Sequence, residues 1–382
     1  MAGESAIAER VAELVRIPSV NPLQAGPKSG DDGEREISAH LADRLDDLGA
    51  DVTVDEVLDG RANVYARFEG TSDRAVTVDV HMDTVGVEHM TRDPFDGAVE
   101  DGRVYGRGSV DTKASLAVVM HVLEEMRRDG QRPVPTVNVV GTVSEEIGGL
   151  LGAERYAAWL RERGQVVDQL IVAEPTSCAP VHGHKGGVGL DIVIHGHAAH
   201  SSKPHLGQNA VTAAARVILA LDEEHQRLQA MDPATPVGVG TLSATMIEGG
   251  LARNIIPDCC TVYAGRRIVP EDDVHEVYDQ LAEIVRSAAA PLHVDVSTPY
   301  GEGFSAFYQE PDSPLISGFS ELAGEAPETA DYGSNALEYH DVATEVMVFG
   351  PGSIDQAHQA VEWVDVAELE RAADIYRQFF SR

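Results

Sequence analysis

Lysine is scarce in this sequence: Lys28, Lys113, Lys185 and Lys203 are the only four among 382 residues. Basic residues total 29 against 63 acidic ones, a formal net charge of −34. A chain this poor in positive charge is ill-suited to neutralise phosphates, which disfavours a nucleic-acid partner. Cysteine is nearly absent as well. Cys178, Cys259 and Cys260 cannot build a disulfide framework, two of them being adjacent, so a reducing cytoplasm is the expected compartment. No stretch approaches the roughly 18 consecutive apolar residues that a membrane helix needs, which excludes a membrane protein. Residues 2–15 carry Glu4, Glu9 and Glu13 on an amphipathic pattern and lack the basic and apolar regions of a signal peptide, so export is not expected. Several enzyme motifs are missing: Gly-x-Ser-x-Gly, the Walker A loop, Gly-x-Gly-x-x-Gly and His-Glu-x-x-His. Cys178 has no pattern marking it as a nucleophile.

What remains is a globular composition, 43% apolar and 24% charged, in a chain longer than one core usually organises. Two domains are expected. Residues 5–16 and 34–48 read as helices. The apolar or β-rich runs Ala75–Val80, Thr136–Val143, Gln169–Ala173 and Glu345–Phe349 read as buried parallel strands, with helices at 112–128 and 150–163. Alternating strands and helices predict an α/β layered sheet, mixed or mostly parallel, with flanking helices. From about residue 186 the order becomes strand 188–195, helix 208–229, strands 238–247 and 256–268, helix 271–288 and strand 292–297. This is the ferredoxin-like β-α-β-β-α-β order. The α/β pattern resumes afterwards, ending in helix 366–380. The α+β segment 186–297 is therefore expected as an insertion into a larger domain made of 1–185 and 298–382.

Each of the four parallel strands is followed by a group able to bind a metal. His81 and Asp83 follow the first, Glu145 and Glu146 the second, Glu174 the third, and His358 the fourth after Gly350-Pro351-Gly352. Ligand sites in open α/β sheets lie outside the carboxyl ends of the strands, so these residues converge by position and not merely by composition. Asp111, in a glycine-rich loop before helix 112–128, can join the same mouth. Singly, each has an ordinary reading: Asp111 as a helix N-cap, Glu145-Glu146 as a solvated acidic pair, Glu174-Pro175 as a turn. Jointly they match the nitrogen and oxygen donors that zinc accepts, and the absence of cysteine favours a catalytic over a structural site. Asp83 can accept the free N–H of a ligating His81. Of the Glu pair, one can ligate while the other activates water.

Those residues resemble the acetylornithine deacetylase, succinyl-diaminopimelate desuccinylase, carboxypeptidase G and aminoacylase family of co-catalytic zinc hydrolases. The resemblance spans nearly the whole chain and rests on His81-Met82-Asp83-Thr84-Val85, Tyr105-Gly106-Arg107-Gly108 through Asp111 and Lys113, Glu145-Glu146, Ala173-Glu174-Pro175-Thr176, and Gly350-Pro351-Gly352 with His358. It implies a zinc-aminopeptidase-like catalytic domain in which two zinc ions, replaceable by cobalt, are held by His81, Asp111 and Glu174 and by Asp111, Glu146 and His358. Glu145 would be the base, and Asp83 would orient His81. The inserted domain would be a ferredoxin-like lid that also forms a homodimer. Its Ala199-His200-Ser201-Ser202 stretch implies that His200 reaches the partner's active site. Asn254 and Arg267 would bind a substrate carboxylate; spacing alone does not separate Arg267 from Arg266, and the resemblance prefers Arg267.

Within the family the likeness is strongest to the acetylornithine deacetylase branch, through Glu174-Pro175-Thr176-Ser177, Asp258-Cys259-Cys260 and Gly350 through Gln359. The implied reaction is deacylation of a small N-acyl amino acid, N-acetylornithine in arginine biosynthesis. A desuccinylase, dipeptidase or aminoacylase is the alternative, and a binding homologue without turnover the alternative of another class. Asn335 stands where many relatives have Asp.

The charge imbalance, with arginine replacing lysine, leads to the expectation of a salt-adapted chain, the alternative being an acidic cytosolic protein whose charges are only solubilising. Carboxylates crowded to −34 repel one another, and the Debye length falls from about 10 Å at 0.1 M to about 3 Å at 1 M salt. Thermal melts across a potassium chloride series should show the melting temperature rising toward molar salt; an unchanged or falling value contradicts salt adaptation.

Overall fold

The computed structural model describes residues 5–30, 33–299, 301 and 303–382; Glu4, read with the amino-terminal pattern, lies outside them. The chain divides into two compact units, Met1–His182 with Gln309–Glu328 and Ser334–Arg382, and Gly183–Tyr308 with Thr329–Gly333. The second unit extends past the 186–297 segment because Phe307 and Tyr308 pair antiparallel with His184 and Gly183.

In the first unit the strands lie in the order Asp51–Leu58, Arg61–Phe68, Thr136–Thr142, Ala75–His81, Val167–Val172 and Ala343–Val348. The last four are parallel, and all four coincide with the runs read as buried strands. Their valine-rich sequences suit a sheet covered on both faces. Along Ala75–His81, Val76, Val78 and Val80 join one apolar cluster with the buried faces of helices Ala6–Val15, Arg35–Asp47, Lys113–Arg128, Pro314–Ala323 and Val366–Phe380. Asp79 points to the opposite face, as strand alternation requires. There it accepts hydrogen bonds from Thr142 Oγ1 at 2.8 Å, Asn335 Nδ2 at 2.9 Å and the Tyr339 hydroxyl at 2.9 Å. An Asp at position 335 would set two carboxylates against each other in a fully buried place; the Asn amide donates instead.

The hairpin Asp51–Leu58/Arg61–Phe68 and helix Pro314–Ala323 are additions to the sequence reading. The hairpin's signal was present: Leu58 pairs with Arg61 across Asp59-Gly60, and Gly60 takes a φ of 70° that glycine adopts without a Cβ penalty.

The second unit is an antiparallel sheet in the order Thr241–Gly249, Cys259–Ile268, Gly186–His195, His293–Ser297, carrying helices Ala210–Gln229 and Val274–Ala289. This is the expected ferredoxin-like arrangement. Val188, Leu190, Ile192 and Ile194 alternate inward to form its core with Ala213, Val217, Leu281 and Val285. Asn209 and Asp273 cap the two helices by accepting from Thr212 N and from His275 N and Glu276 N. Among the described residues no helix is long and apolar enough to cross a membrane.

Candidate metal centre

The parallel register delivers the carboxyl ends of four neighbouring strands to one edge of the first unit, and the chain leaves each through a group with a lone pair to offer. His81 closes its strand and Glu174 follows Val172 by two residues. Glu145 and Glu146 leave Thr142 through Ser144, which sits in the left-handed region at φ 64°. A non-glycine residue there costs about 1–3 kcal/mol and persists only where its surroundings fix it. They do: Ser144 N donates to the buried Glu34 carboxylate at 2.8 Å, Glu34 is paired with Arg61, and Ser144 Oγ donates to the Ile147 carbonyl at 3.0 Å. His358, at φ 61°, is held by its carbonyl, which accepts from His89 Nε2 at 3.0 Å. Gly352 is required by close approach, since a Cβ at its φ of 78° would stand 2.3 Å from Val110. The Glu174 loop is laced to this turn by Cys178 N donating to the Gly350 carbonyl at 2.9 Å.

Asp111 is the centre of the cluster. Its Oδ1 lies 3.1 Å from His81 Nε2, and its Oδ2 lies 3.2 Å from His358 Nε2. Glu146 Oε2 is 3.0 Å from the same His358 nitrogen, and Glu174 Oε1 is 3.9 Å from His81 Nε2. Donor atoms within 4.8 Å of one another also group His81 with Asp111 and Glu146, and His81 with Glu145 and Glu174. Glu145 thus stands inside the cluster and not beside it.

The structure brings Asp83 close, with a different division of labour from the expected one. His81 Nδ1 donates to the Asp83 main-chain carbonyl at 3.0 Å, while the Asp83 carboxylate is 3.6 Å away. That carboxylate instead accepts from Asn21 Nδ2 at 2.8 Å, Glu145 N at 3.0 Å and Glu146 N at 3.1 Å. The tautomer is fixed by backbone, leaving His81 Nε2 to face Asp111, and the side chain fixes the Glu pair.

Other supporting residues escaped the sequence reading. Glu362, fully buried, is ion-paired with Arg107 and accepts from Val110 N at 3.1 Å and Asp111 N at 3.4 Å. Lys113 is buried with its ammonium donating to the Ile17 carbonyl at 2.7 Å, and burial draws its pKa down to about 7. Arg107 and Lys113 belonged to the quoted motifs, but no local pattern ties Glu362 or Asn21 to the cluster. His200, Asn254 and Arg267 lie in the second unit, all exposed. His200 Nδ1 is bonded to Ser202 Oγ at 2.8 Å, and Ser201 N donates to the Asn254 carbonyl at 2.9 Å. Arg266 is buried and paired with Asp272 at 2.9 Å, whereas Arg267 is open to solvent.

The electrostatics fit a divalent cation. Without one, burial and then repulsion from Glu146 push Glu145 up to about 8 against the pull of His81. Burial and then Asp111 push Glu146 to about 7, and burial with Glu145 and Asp111 sends Glu174 well above its ordinary range. Asp111 and Glu146 raise His358 to about 10. Glu174 Oε1 is buried with no hydrogen-bond partner. An orphaned carboxylate oxygen aimed at an imidazole nitrogen, among acidic neighbours that cannot all ionise, is what a cation between them would satisfy.

The profile of peptidase family M20/M25/M40 matches residues 77–382. The chain belongs to this family. It is a metal-dependent amidohydrolase, and the convergent donors are its candidate metal centre. It is 30% identical over 363 residues to the acetylornithine deacetylase of Vibrio vulnificus (strain CMCP6), with 94% of each chain covered. In fold it is similar to the M20 family metallo-carboxypeptidase of Sulfolobus solfataricus, with a TM-score of 0.80 at 17% identity over 99% of both chains. A dinuclear metal-binding M20 peptidase of Bacillus subtilis gives 0.69 at 16% identity, covering 99% of this chain and 98% of that one.

Removing metal should reverse the pH dependence of stability. Carboxyls raised to about 8 and 7 from an unfolded 4.5 destabilise the metal-free fold above those values, and the penalty fades as pH falls toward 4.5. His358, raised to about 10 from 6.5, adds stability that is complete below 6.5 and lost as pH rises through 10. Both act in one direction, by up to about 1.4 kcal/mol per pH unit for each proton. Chelator-treated protein should therefore melt higher at pH 6 than at pH 8, and the gap between loaded and chelated protein should be wider at pH 8 than at pH 6.

Proposed function

We propose that this M20/M25/M40 enzyme hydrolyses a small N-acyl amino acid, N-acetylornithine to ornithine and acetate, in the arginine biosynthesis of a salt-adapted cytoplasm. The observation that carries the reading is the position of Asp111 between two histidines, one oxygen toward His81, which Glu174 also approaches, and the other toward His358, which Glu146 also approaches. One carboxylate serving both sides is what two adjacent cations require. His81, Asp111 and Glu174 would hold one zinc ion, and Asp111, Glu146 and His358 the second, with cobalt able to substitute. Bound there, such ions supply Lewis acidity that polarises a carbonyl and lowers the pKa of water.

Glu145 takes the proton of the attacking water and returns it to the leaving amine. Asp83, accepting from the N–H groups of Glu145 and Glu146, holds base and ligand in one turn. His200 serves the active site of a partner subunit, where its donation to the oxyanion is worth roughly 10²–10³ in rate. With Nδ1 engaged by Ser202, its Nε2 is the nitrogen left for that role. Asn254 and Arg267 hold the α-carboxylate, Arg267 through its planar fork. The burial of Arg266 against Asp272 supports this choice. Homodimer formation is supported by the outer edge of strand Thr241–Gly249 and the loop after it, where Met246, Ile247 and Leu251 are exposed.

A panel of N-acetylornithine, N-succinyl-diaminopimelate, other N-acyl amino acids and dipeptides, with zinc or cobalt at low and high salt, tests the substrate. The highest kcat/KM should fall on N-acetylornithine; a faster succinate release or dipeptide cleavage would overturn the substrate while leaving the hydrolase. Glu145→Ala should keep its metal and lose at least about 10²-fold in turnover. His81→Ala and Glu174→Ala should lower the metal content, and an equal metal loss in Glu145→Ala would make Glu145 a ligand. Mixing inactive His200→Ala and Glu145→Ala subunits should restore part of the activity. No recovery despite proven subunit exchange would remove His200 from the partner's site.

A further inference from the structure

A second convergence of donors lies wholly within the second unit, on the sheet face turned away from its two helices. His195 ends strand Gly186–His195, and the antiparallel register sets His293 directly opposite it. Asp295, two residues along the edge strand His293–Ser297, shares their face. The intervening Ile194 and Val294 point into the core. Both imidazoles meet the same carboxylate: His195 Nε2 is 2.8 Å from Asp295 Oδ2, and His293 Nε2 is 3.1 Å from Asp295 Oδ1. The two rings stack with centroids 5.4 Å apart and planes 24° apart, so the nitrogens approach from one side. One donor atom from each residue lies within 4.8 Å of the others.

Two imidazoles and a carboxylate are a donor set for borderline transition ions; calcium and magnesium call for oxygen alone. Cys259, also exposed, faces His195 across the next strand and is the thiol nearest in register. The three side chains are 44%, 74% and 62% exposed, in the order His195, His293, Asp295, which leaves water access to the remaining coordination positions. The ladder between the two strands sets the spacing of the three Cα atoms, so little ordering remains for an ion to impose.

We propose that His195, His293 and Asp295 form a surface site for a borderline divalent transition ion such as zinc, distinct in its residues from the centre around Asp111. An ion held there clips the edge strand His293–Ser297 to the inner strand Gly186–His195. Its occupancy therefore contributes to the stability of the second unit and not to hydrolysis.

The test uses the whole protein dialysed against buffered micromolar free zinc, with metal content measured per chain for the parent, His293→Gln and His195→Gln. Each variant should hold one zinc fewer than the parent, keep the parent's turnover, and show a smaller zinc-induced rise in melting temperature. Equal zinc content in the parent and both variants would leave a hydrogen-bonded triad and overturn the site. Loss of more than one zinc, or of activity along with zinc, would assign the effect to the Asp111 centre and overturn it equally.

Discussion

A carboxylate buried between two imidazoles is the constraint on which the first unit's chemistry depends. Asp111 keeps its charge, burial notwithstanding, because His358 and His81 hold its carboxyl below the ordinary range. Being fully enclosed, it cannot be positioned by solvent or by a flexible side chain; its place has to be set by its own main chain. That task falls to Glu362, which is itself admissible in the interior only because Arg107 answers its charge. A similar chain of dependence runs from Arg61 through Glu34 to Ser144 and the Glu pair. Asp111 and the Glu pair are thus each anchored through another buried carboxylate, and each of those is paired with an arginine.

The parallel sheet is what brings the components together. Side-chain alternation along Ala75–His81 sends the valines to the helical layer and Asp79 to the opposite layer, and His81 emerges at the strand's end already aimed. Four strand ends in register make a row of chain exits a few ångströms apart. Local irregularity does the rest: two left-handed non-glycine residues, Ser144 and His358, turn the chain where a regular strand or helix would carry the donor away. In this family member the regular elements fix the spacing of the donors, and the strained ones fix their direction.

Much of this was legible in the order of residues. The four valine-rich runs were recognisable because a strand buried on both faces has few sequences open to it, and the alternation of the second unit for the converse reason. The hairpin at Asp51–Phe68 was missed although Asp59-Gly60 announces it, since charged residues at its exposed positions hide the strand pattern. The expected contact of the Asp83 carboxylate with His81 rested on two-residue spacing. The structure gives that contact to the carbonyl because the side chain has better partners in two main-chain N–H groups, which only the fold supplies.

By itself the sequence determined which residues could carry the chemistry, that they follow strands, and that the chain holds an inserted β-α-β-β-α-β segment. These depend on local pattern and residue type, which are written along the chain. The tertiary structure alone decided which oxygen of Asp111 faces which histidine, that Arg266 is buried while Arg267 is not, that Asn335 must be an amide beside Asp79, and that His195, His293 and Asp295 meet. Those are matters of pairing between segments as many as 256 residues apart, as Asp79 and Asn335 are. Pairing of that kind is set by the packing of layers and the register of strands, and neither leaves a mark at the position of any single residue.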